Sequence, residues 1–216
     1  MSSAGKGKRT GGKKATGTAK KSATKAVKKA AVAKKPVAKK PAAKGKEGGA
    51  WAAVFTPRAP GERRYWLVKS EPSTFSFDDL LAAKDQTTNW DGIRNFAARN
   101  FMRDGMKVGD KVFFYHSNTD VPGIVGIATV ASPAYPDESQ FNPKSKYYDE
   151  KSKREEPRWV LIDVKFERKL ARTISLEELK GYDELVDMPL VRKGNRLSVM
   201  PVAKGDWDFI LKLEKS

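Results

Sequence analysis

Short apolar stretches alternate with polar, glycine and proline residues through the C-terminal three quarters of the chain. The apolar run at residues 65–68 is bounded by polar residues, a pattern that predicts a buried strand. Residues 111–116 and 124–130 predict two further strands, and the second is apolar enough to be covered on both faces. Residues 159–166 and 196–201 predict two more, and we expect the last to stop at its proline.

Helix starts are marked by capping residues between these strands. Ser76 can cap a short helix, and Ser175 with Glu178 has the spacing of a capping box. Apolar positions predict another helix over residues 94–103, and Asp206 can cap a final amphipathic helix. We therefore expect several short helices beside the strands.

Irregular connections separate these elements. Residues 131–157 form a long polar excursion that contains proline and several aromatic residues, and a connection of this length is often functional or flexible. The regular strand and helix alternation of a doubly wound sheet is missing. The pattern favours an α+β fold built on a small mixed barrel.

Charge divides the chain into a basic tail and a nearly neutral body. Residues 1–48 carry sixteen Lys or Arg and one acid, which gives +15 of the net +17. Their Lys, Ala, Gly and Pro composition cannot bury enough apolar surface to fold, so we expect a disordered tail similar to those of linker histones and bacterial histone-like proteins. Residues 49–63 are expected to be a linker, in which Trp51 and Phe55 either dock onto the body or contact a partner.

Composition also excludes several classes of protein. The chain has no Cys and one His, so disulfides are excluded and the usual ligands of a structural zinc site are missing. No run of about 18 apolar residues and no signal-peptide core is present. We expect a soluble intracellular protein that does not enter membranes, and the tail lacks the Arg-rich character of a transit peptide.

Common catalytic motifs do not occur. No glycine-rich phosphate loop is present, and the single His116 would have to recruit a serine that lies outside any nucleophile elbow. The paired acids, such as Asp78 and Asp79, lie in helix-start or loop contexts where solvated roles are usual. We therefore expect no catalytic residues, metal or cofactor.

The stretch 90–95, read with residues 115–117, carries the groups that bind a flat polar ligand. Trp90 offers a stacking face, Arg94 and Asn95 carry directed hydrogen-bond groups, and Gly92 permits close backbone approach. Extruded nucleobases are held by such groups. Ordinary core packing and helix capping would explain the same residues, so both interpretations stay open from composition and spacing alone.

Several separated motifs follow one another along the folded part of the chain. They are Tyr-Trp-Leu-Val-Lys-Ser-Glu-Pro at 65–72, Trp-Asp-Gly-Ile-Arg-Asn at 90–95, Ala-Arg-Asn-Phe at 98–101, Gly-Asp at 109–110, Tyr-His-Ser-Asn at 115–118, Pro-Gly-Ile-Val-Gly at 122–126, Ala-Tyr-Pro-Asp at 134–137, Tyr-Tyr-Asp at 147–149 and Asn-Arg-Leu-Ser-Val-Met-Pro-Val at 195–202. Taken together in this order, the motifs resemble the EVE domain family from about Arg64 to about Leu213. The basic tail lies outside this resemblance.

The resemblance implies an EVE domain over residues 64–214, with a PUA-like compact β-barrel and flanking short helices, related to YTH domains. It also implies a central pocket for a modified base of DNA or RNA. Carried over position by position, the ligand-binding residues are Lys69, Ser70, Glu71, Trp90, Gly92, Arg94, Asn95, Tyr115, His116, Ser117, Arg196, Leu197 and Ser198. The chain departs from the usual pattern at Ile93, where Val is commoner, and at Phe96-Ala97, where Tyr-Gln is frequent. If the glutamine amide contacts the ligand in other members of the family, Ala97 cannot replace that contact, and the base preference would then differ.

The leading hypothesis is a monomeric, non-catalytic reader whose tail adds sequence-independent affinity for the nucleic-acid backbone. Two alternatives stay open. One is a nuclease or glycosylase of PUA-like fold that uses Lys69, Glu71 or His116, and the other is a histone-like nucleoid or chromatin protein that acts through its tail. We expect a bacterial cytoplasm or nucleoid location, or the nucleus if the source is eukaryotic.

Overall fold

A curled six-stranded sheet forms the centre of the folded body. The computed structural model describes residues 51–215, so the predicted disordered tail, 1–48, and the first two residues of the predicted linker lie outside the described residues. The strands of the sheet are β1 (Tyr65–Ser70), β2 (Thr87–Asn89), β3 (Lys111–His116), β4 (Gly123–Val130), β7 (Asp163–Ser175) and β8 (Val199–Val202), and a separate pair is formed by β5 (Tyr135–Pro136) and β6 (Val160–Leu161). The strand order in the sheet is β2-β7-β4-β3-β1-β8, in which β1 and β3 are parallel and the other neighbours are antiparallel.

Register irregularities curl this sheet into a half barrel. The pairing shifts between Phe114 and Tyr115 in β3, and twice along β4 against β7. Such bulges bend a strand and increase its twist. The predicted α+β, PUA-like architecture, a curled sheet with flanking short helices, is confirmed.

Both faces of the sheet are covered, which explains why β1 and β3 are apolar at consecutive positions. Trp66 and Val68 of β1 belong to one buried cluster, while Leu67 between them belongs to another. The first cluster is covered by α1 (Phe77–Ala82), α2 (Phe96–Asn100) and a π-helical turn at Phe101–Gly105. The second is covered by α3 (Leu176–Lys180) and α4 (Lys204–Leu213).

Two of the three predicted helix N-caps are present in the structure. Ser76 accepts from the Asp79 backbone N–H, and Asp79 accepts from the Ser76 N–H, so α1 begins with a complete capping box. Ser175 caps α3 by accepting from the Glu178 N–H. The prediction for α4 was wrong, because Ala203 is its N-cap and Asp206 lies in the first turn.

Three further boundaries differ from expectation. The helix predicted over 94–103 begins at Phe96 and changes to π-helical pairing at Phe101, since Asn95 caps it. The strand predicted at 159–166 is interrupted at Ile162 and continues to Ser175. Strand β8 begins at Val199 and includes Pro201, which an edge strand tolerates because one side of its backbone has no strand partner.

The segment that precedes the sheet packs onto the body from Trp51 onward. Trp51 and Val54 pack against the first buried cluster, and the Phe55 ring stacks on Phe101 at 5.8 Å between centroids. The Arg58 guanidinium donates to both oxygens of buried Asp110, at 2.5 and 2.7 Å. These contacts decide between the two sequence interpretations of Trp51 and Phe55 in favour of docking, while the division of the chain at residues 48 and 63 stays a prediction.

The excursion at 131–157 is anchored by a buried amide. The Gln140 side chain donates to the carbonyl oxygens of Asp137 and Trp159 at 2.7 and 2.9 Å, and accepts from the Trp159 N–H at 2.9 Å. Gln140 is fully buried, so these hydrogen bonds hold the excursion against the β5–β6 pair.

Within residues 51–215, no helix has both the length and the apolar character needed to cross a membrane.

Candidate functional site

A cavity of about 460 Å³ opens beside the C-terminal end of β1. Its walls come from that strand end and the turn after it, from β2 and the loop that follows, from the 131–157 excursion and from the residue before β8. The lining residues are Lys69, Ser70, Glu71, Thr74, Phe75, Thr88, Asn89, Trp90, Asp91, Gly92, Ile93, Lys146, Tyr147 and Ser198.

Trp90 forms an aromatic wall that is held from behind. Its backbone N–H donates to the Ile162 carbonyl at 2.7 Å, where the chain passes between β6 and β7. Its ring meets Phe114 edge to face at 5.4 Å, and only 8% of the residue is exposed. Trp90 therefore belongs to the core and to the cavity wall at once, which makes its position rigid.

A second aromatic wall depends on a glycine. Gly92 has a φ of +71°, and a Cβ built there would lie 2.5 Å from Cζ of Tyr147. The Tyr147 ring thus occupies the space that any side chain at position 92 would need. Gly92 also donates its N–H to Asp137 at 3.2 Å, which fixes the loop that carries Trp90.

Arg94 holds the excursion in place. It donates through Nε and Nη2 to the Tyr147 carbonyl, at 2.8 and 2.5 Å, and through Nη1 to the Asp137 carboxylate at 2.8 Å. Burial acts to raise the pKa of Asp137, but hydrogen bonds from Ser139 and Arg94 hold that pKa below its ordinary value. The carboxylate stays charged, and the arginine acts as a clamp that sets the position of Tyr147.

Charged groups of both signs surround the cavity. Burial lowers the pKa of the Lys69 amine, whose Nζ lies 5.6 Å from the centre of the Tyr115 ring. The pKa of Asp91 is raised, chiefly by burial and to a smaller extent by the negative charge of nearby Asp137. Glu71 lines the same cavity and accepts from the Asn118 amide at 3.2 Å. The lining can therefore serve both donor and acceptor groups of a neutral polar ligand.

Lys69→Met should stabilise the protein against unfolding at pH 7, because the folded state carries the desolvation cost of the Lys69 ammonium. The folded-state pKa is lowered from 10.5, so this cost is present at neutral pH. It disappears as pH rises through the folded pKa toward 10.5, and the gain from the substitution should shrink over that window. Denaturant unfolding of variant and parent across pH 7 to 10 measures it.

Exposed Lys165 on β7 gives the matched control, and Lys165→Met should change stability by less than about 0.5 kcal/mol. Equal stabilities of the Lys69→Met variant and the parent at pH 7 would contradict this prediction. They would show that the buried Lys69 ammonium does not lower the free energy of unfolding.

The structure brings six of the thirteen predicted site residues to the cavity and places seven elsewhere. Around the cavity lie Lys69, Ser70, Glu71, Trp90, Gly92 and Ser198. Outside its lining lie Arg94, Asn95, Tyr115, His116, Ser117, Arg196 and Leu197. A ligand role for any of these thirteen residues stays a prediction.

Most of the residues outside the lining have structural contacts that account for them. Asn95 caps α2 by accepting from two backbone N–H groups, and His116 Nε2 accepts from the Phe77 N–H at 3.1 Å. Tyr115 is buried in the second cluster, and the Ser117 N–H donates to the Ser70 carbonyl at 2.8 Å. Leu197 packs against both clusters, and the exposed Arg196 shows no hydrogen bond, ion pair or ring contact within residues 51–215.

Eight lining residues were missed by sequence reasoning. Asp91 and Ile93 lay inside the predicted motif, and Tyr147 lay in another motif, so the signal for these three was present. Thr88 and Asn89 lie on β2, whose short polar sequence does not predict a strand. The full set is Thr74, Phe75, Thr88, Asn89, Asp91, Ile93, Lys146 and Tyr147.

Comparison with known proteins finds relatives that are similar in sequence over most of the folded body. Thymocyte nuclear protein 1 of Mus musculus is 45% identical over 169 residues, covering 70% of this chain and 74% of the relative. An uncharacterized protein of Schizosaccharomyces pombe is 38% identical over 167 residues, covering 71% and 70%. These relatives are matched over most of their own length.

Solved structures of similar proteins share the fold. The human THYN1 protein, solved in complex with 5-methylcytosine containing DNA, is 42% identical with a TM-score of 0.68, covering 71% of this chain and 98% of that one. A protein from Pseudomonas syringae is 45% identical with a TM-score of 0.66, covering 69% and 99%. Residues 64–213 match the EVE domain family. On this match and these identities, the chain belongs to the EVE domain family.

Proposed function

We propose that this EVE domain binds DNA and takes one modified base, with 5-methylcytosine as the first candidate, into the 460 Å³ cavity. The observation that carries the proposal is the cavity lining, in which rigid aromatic walls face a small set of hydrogen-bonding groups. Pockets of roughly 300 to 1,000 Å³ with this mixture are typical of small-ligand sites. A relative that shares the fold at 42% identity was solved with 5-methylcytosine containing DNA, which supports the choice of base.

The lining suits a neutral base better than a phosphate. Glu71 and Asp91 place carboxylates at the cavity, and carboxylates repel phosphate but accept from the exocyclic amine of cytosine. Lys69, Thr88 and Asn89 supply donors for ring carbonyl and nitrogen acceptors. A base taken out of a duplex costs a few kcal/mol of stacking and pairing, which the aromatic walls offset.

The basic tail supplies affinity without discrimination in this proposal. Lysines at the density of residues 1–48 release counterions from any nucleic-acid backbone, whatever its bases. The body carries only +2 of the net charge, so the selection of a base and the attraction to the nucleic-acid backbone are divided between the two parts of the chain.

We propose a nuclear location if the source is eukaryotic, in line with the name of the relatives, while a bacterial nucleoid stays a prediction.

Binding without catalysis is part of the same proposal. The Nε2 lone pair of His116 is used in accepting the Phe77 N–H, and burial lowers the pKa of this imidazole. His116 is therefore poorly placed to act as a general base at that nitrogen. Incubation of DNA and RNA substrates with the full chain should yield no cleaved strand and no released base.

The full chain should bind DNA that contains 5-methylcytosine more tightly than the same sequence with cytosine. Trp90→Ala should remove a stacking contribution of roughly 1 to 3 kcal/mol from the modified substrate and abolish most of the preference. Titration of matched labelled oligonucleotides measures both effects, with RNA of the same sequence as competitor.

Because Trp90 is part of the core, Tyr147→Ala serves as a second variant, and thermal unfolding checks that both remain folded. Deletion of residues 1–48 should weaken binding to both oligonucleotides by the same factor. A preference that survives in both folded pocket variants would contradict the proposal, and binding that depends on the tail alone would favour a histone-like protein.

A further inference from the structure

An exposed aromatic ring lies outside the cavity, at the start of α2. Phe96 is 50% exposed, which is unusual for a phenylalanine. Its ring stacks on Trp159 at 4.9 Å between centroids with an interplanar angle of 26°. Trp159 is buried and its indole N–H donates to Asp149 at 2.7 Å, so the ring beneath Phe96 is fixed. Phe96 is thus held in place while half of it faces solvent.

Two guanidinium groups border this ring. The Arg99 Cζ lies 4.9 Å from the centre of the Phe96 ring, and the Arg158 Cζ lies 5.6 Å from it. Arg99 also donates to the Arg158 carbonyl at 2.9 Å, which joins α2 to the end of the excursion. Phe96, Arg99 and Arg158 together form what we call the Phe96 patch.

The charge of the Phe96 patch is only partly neutralised by the protein. The Arg99 side chain donates to the neutral Asn100 amide oxygen, at 3.0 and 2.7 Å, and to a backbone carbonyl. Within residues 51–215 no carboxylate bonds to Arg99. The pKa of Arg99 is lowered, chiefly by burial and to a smaller extent by the positive charge of neighbouring Arg103.

The second guanidinium of the Phe96 patch is partly neutralised. Arg158 is paired with Asp149 at 3.2 Å, and a third of its side chain is exposed. An excess of positive charge beside an open aromatic ring favours an anionic, aromatic ligand.

Successive contacts connect the Phe96 patch with the cavity wall. The Arg94 Cζ lies 5.3 Å from the Tyr147 ring, which lines the cavity, and 5.3 Å from the Trp159 ring, which supports Phe96. With the 4.9 Å step from Trp159 to Phe96, the path is three contacts long. Stacked nucleotides rise by about 3.4 Å each along a strand, so a stretch of about five nucleotides is as long as these three steps together.

We propose that the Phe96 patch binds the DNA strand next to the captured base, with one flanking nucleobase stacked on Phe96 or its bordering guanidinium planes and the adjoining phosphate on Arg99. This second site rests on the proposed function for its choice of ligand, but it reads no base modification. Stacking is sequence-tolerant because every base has a π-face. The cavity selects the base, and the Phe96 patch fixes the register of the strand that presents it.

Phe96→Ala in the full chain should weaken binding by at least about fivefold, equally for oligonucleotides with 5-methylcytosine and with cytosine. Single-stranded oligonucleotides with one abasic site, scanned over five positions on each side of the modified base, locate the contact. At the contacted position the abasic site and Phe96→Ala should be non-additive, because each removes the same stacking. Arg99→Gln should lower the salt dependence of binding by about one phosphate contact.

Phe55→Ala is the matched control, since Phe55 is 42% exposed and stacked on Phe101, and it should leave DNA affinity unchanged. Phe96→Leu keeps an apolar side chain without the ring and should bind like the alanine variant. Additive effects at every abasic position, or equal losses from the Phe55 and Phe96 variants, would overturn the inference. A missing preference for 5-methylcytosine would contradict the proposed function and leave the Phe96 test intact, because unmodified strands test the same stacking.

Discussion

Gly92→Ala is expected to abolish the preference for a modified base and to lower the free energy of unfolding by about 2 kcal/mol or more. A φ of +71° costs a residue with a Cβ about 1 to 2 kcal/mol, and the new methyl would lie 2.5 Å from the Tyr147 ring. Tyr147 cannot retreat freely, because Arg94 holds its carbonyl through two hydrogen bonds. The ring must therefore turn into or away from the cavity.

Gly194→Ala separates backbone strain from the steric effect. Gly194 has a φ of +82°, but a Cβ there would meet nothing within 4 Å. This variant should be destabilised and keep its DNA preference. In the double variant Gly92→Ala/Tyr147→Ala, the second substitution should cost less stability than it does alone, since the clash has gone. Denaturant unfolding and oligonucleotide titration measure these outcomes, and an unchanged preference in Gly92→Ala would show that the Tyr147 wall does not contact the base.

The sheet could be predicted from local patterns, while its edges could not. Apolar runs in β1, β3 and β4 are long enough to mark strands that are covered on both faces. Strand β2 and the extension of β7 to Ser175 are polar or charged at most positions, so only pairing across the sheet defines them. A strand that is exposed on one side carries little hydrophobic signal of its own.

The cavity was anticipated in part because motif order places the end of β1 and the 90–93 loop together. Arg94 forms contacts that its neighbours in the sequence do not predict, and the ligand role proposed for it stays a prediction. In the structure it donates to Tyr147 and Asp137, residues more than forty positions away. Clamps of this kind depend on which distant segment folds over the site, and periodicity carries no information about that.

Docking of residues 51–58 was undecidable for a related reason. The apolar side chains of Trp51 and Phe55 indicated burial against some surface, but the surface is Phe101 in a π-helical turn that no pattern predicts. Arg58 lies in the predicted linker, and its partner Asp110 is 52 positions further along the chain, beyond β1. Long-range ion pairs become visible only when the fold is known.

Asp110→Asn is expected to lower the free energy of unfolding by about 3 to 5 kcal/mol, because it leaves the buried Arg58 guanidinium without its counter-charge. The side chains of Arg58 and Asp110 are 7% and 1% exposed. The carboxylate accepts two bonds from Arg58, two from backbone N–H groups of Arg64 and Lys107, and one from the Trp66 indole at 2.8 Å. An amide carries donors where two of these donors point, so repulsion is added to the lost charge.

Urea unfolding of the full chain measures this loss, with Asp104→Asn as the control. Asp104 pairs with Arg103 at 2.8 Å, but both side chains are nearly half exposed, so the control should cost at most about 1 kcal/mol. Arg58→Met removes the buried cation as well, and in that background Asp110→Asn should cost clearly less. An equal loss of unfolding free energy in Asp110→Asn and Asp104→Asn would contradict this prediction. It would mean that Asp110 does not bind the segment that carries Arg58, which precedes the family match at residues 64–213, to the body.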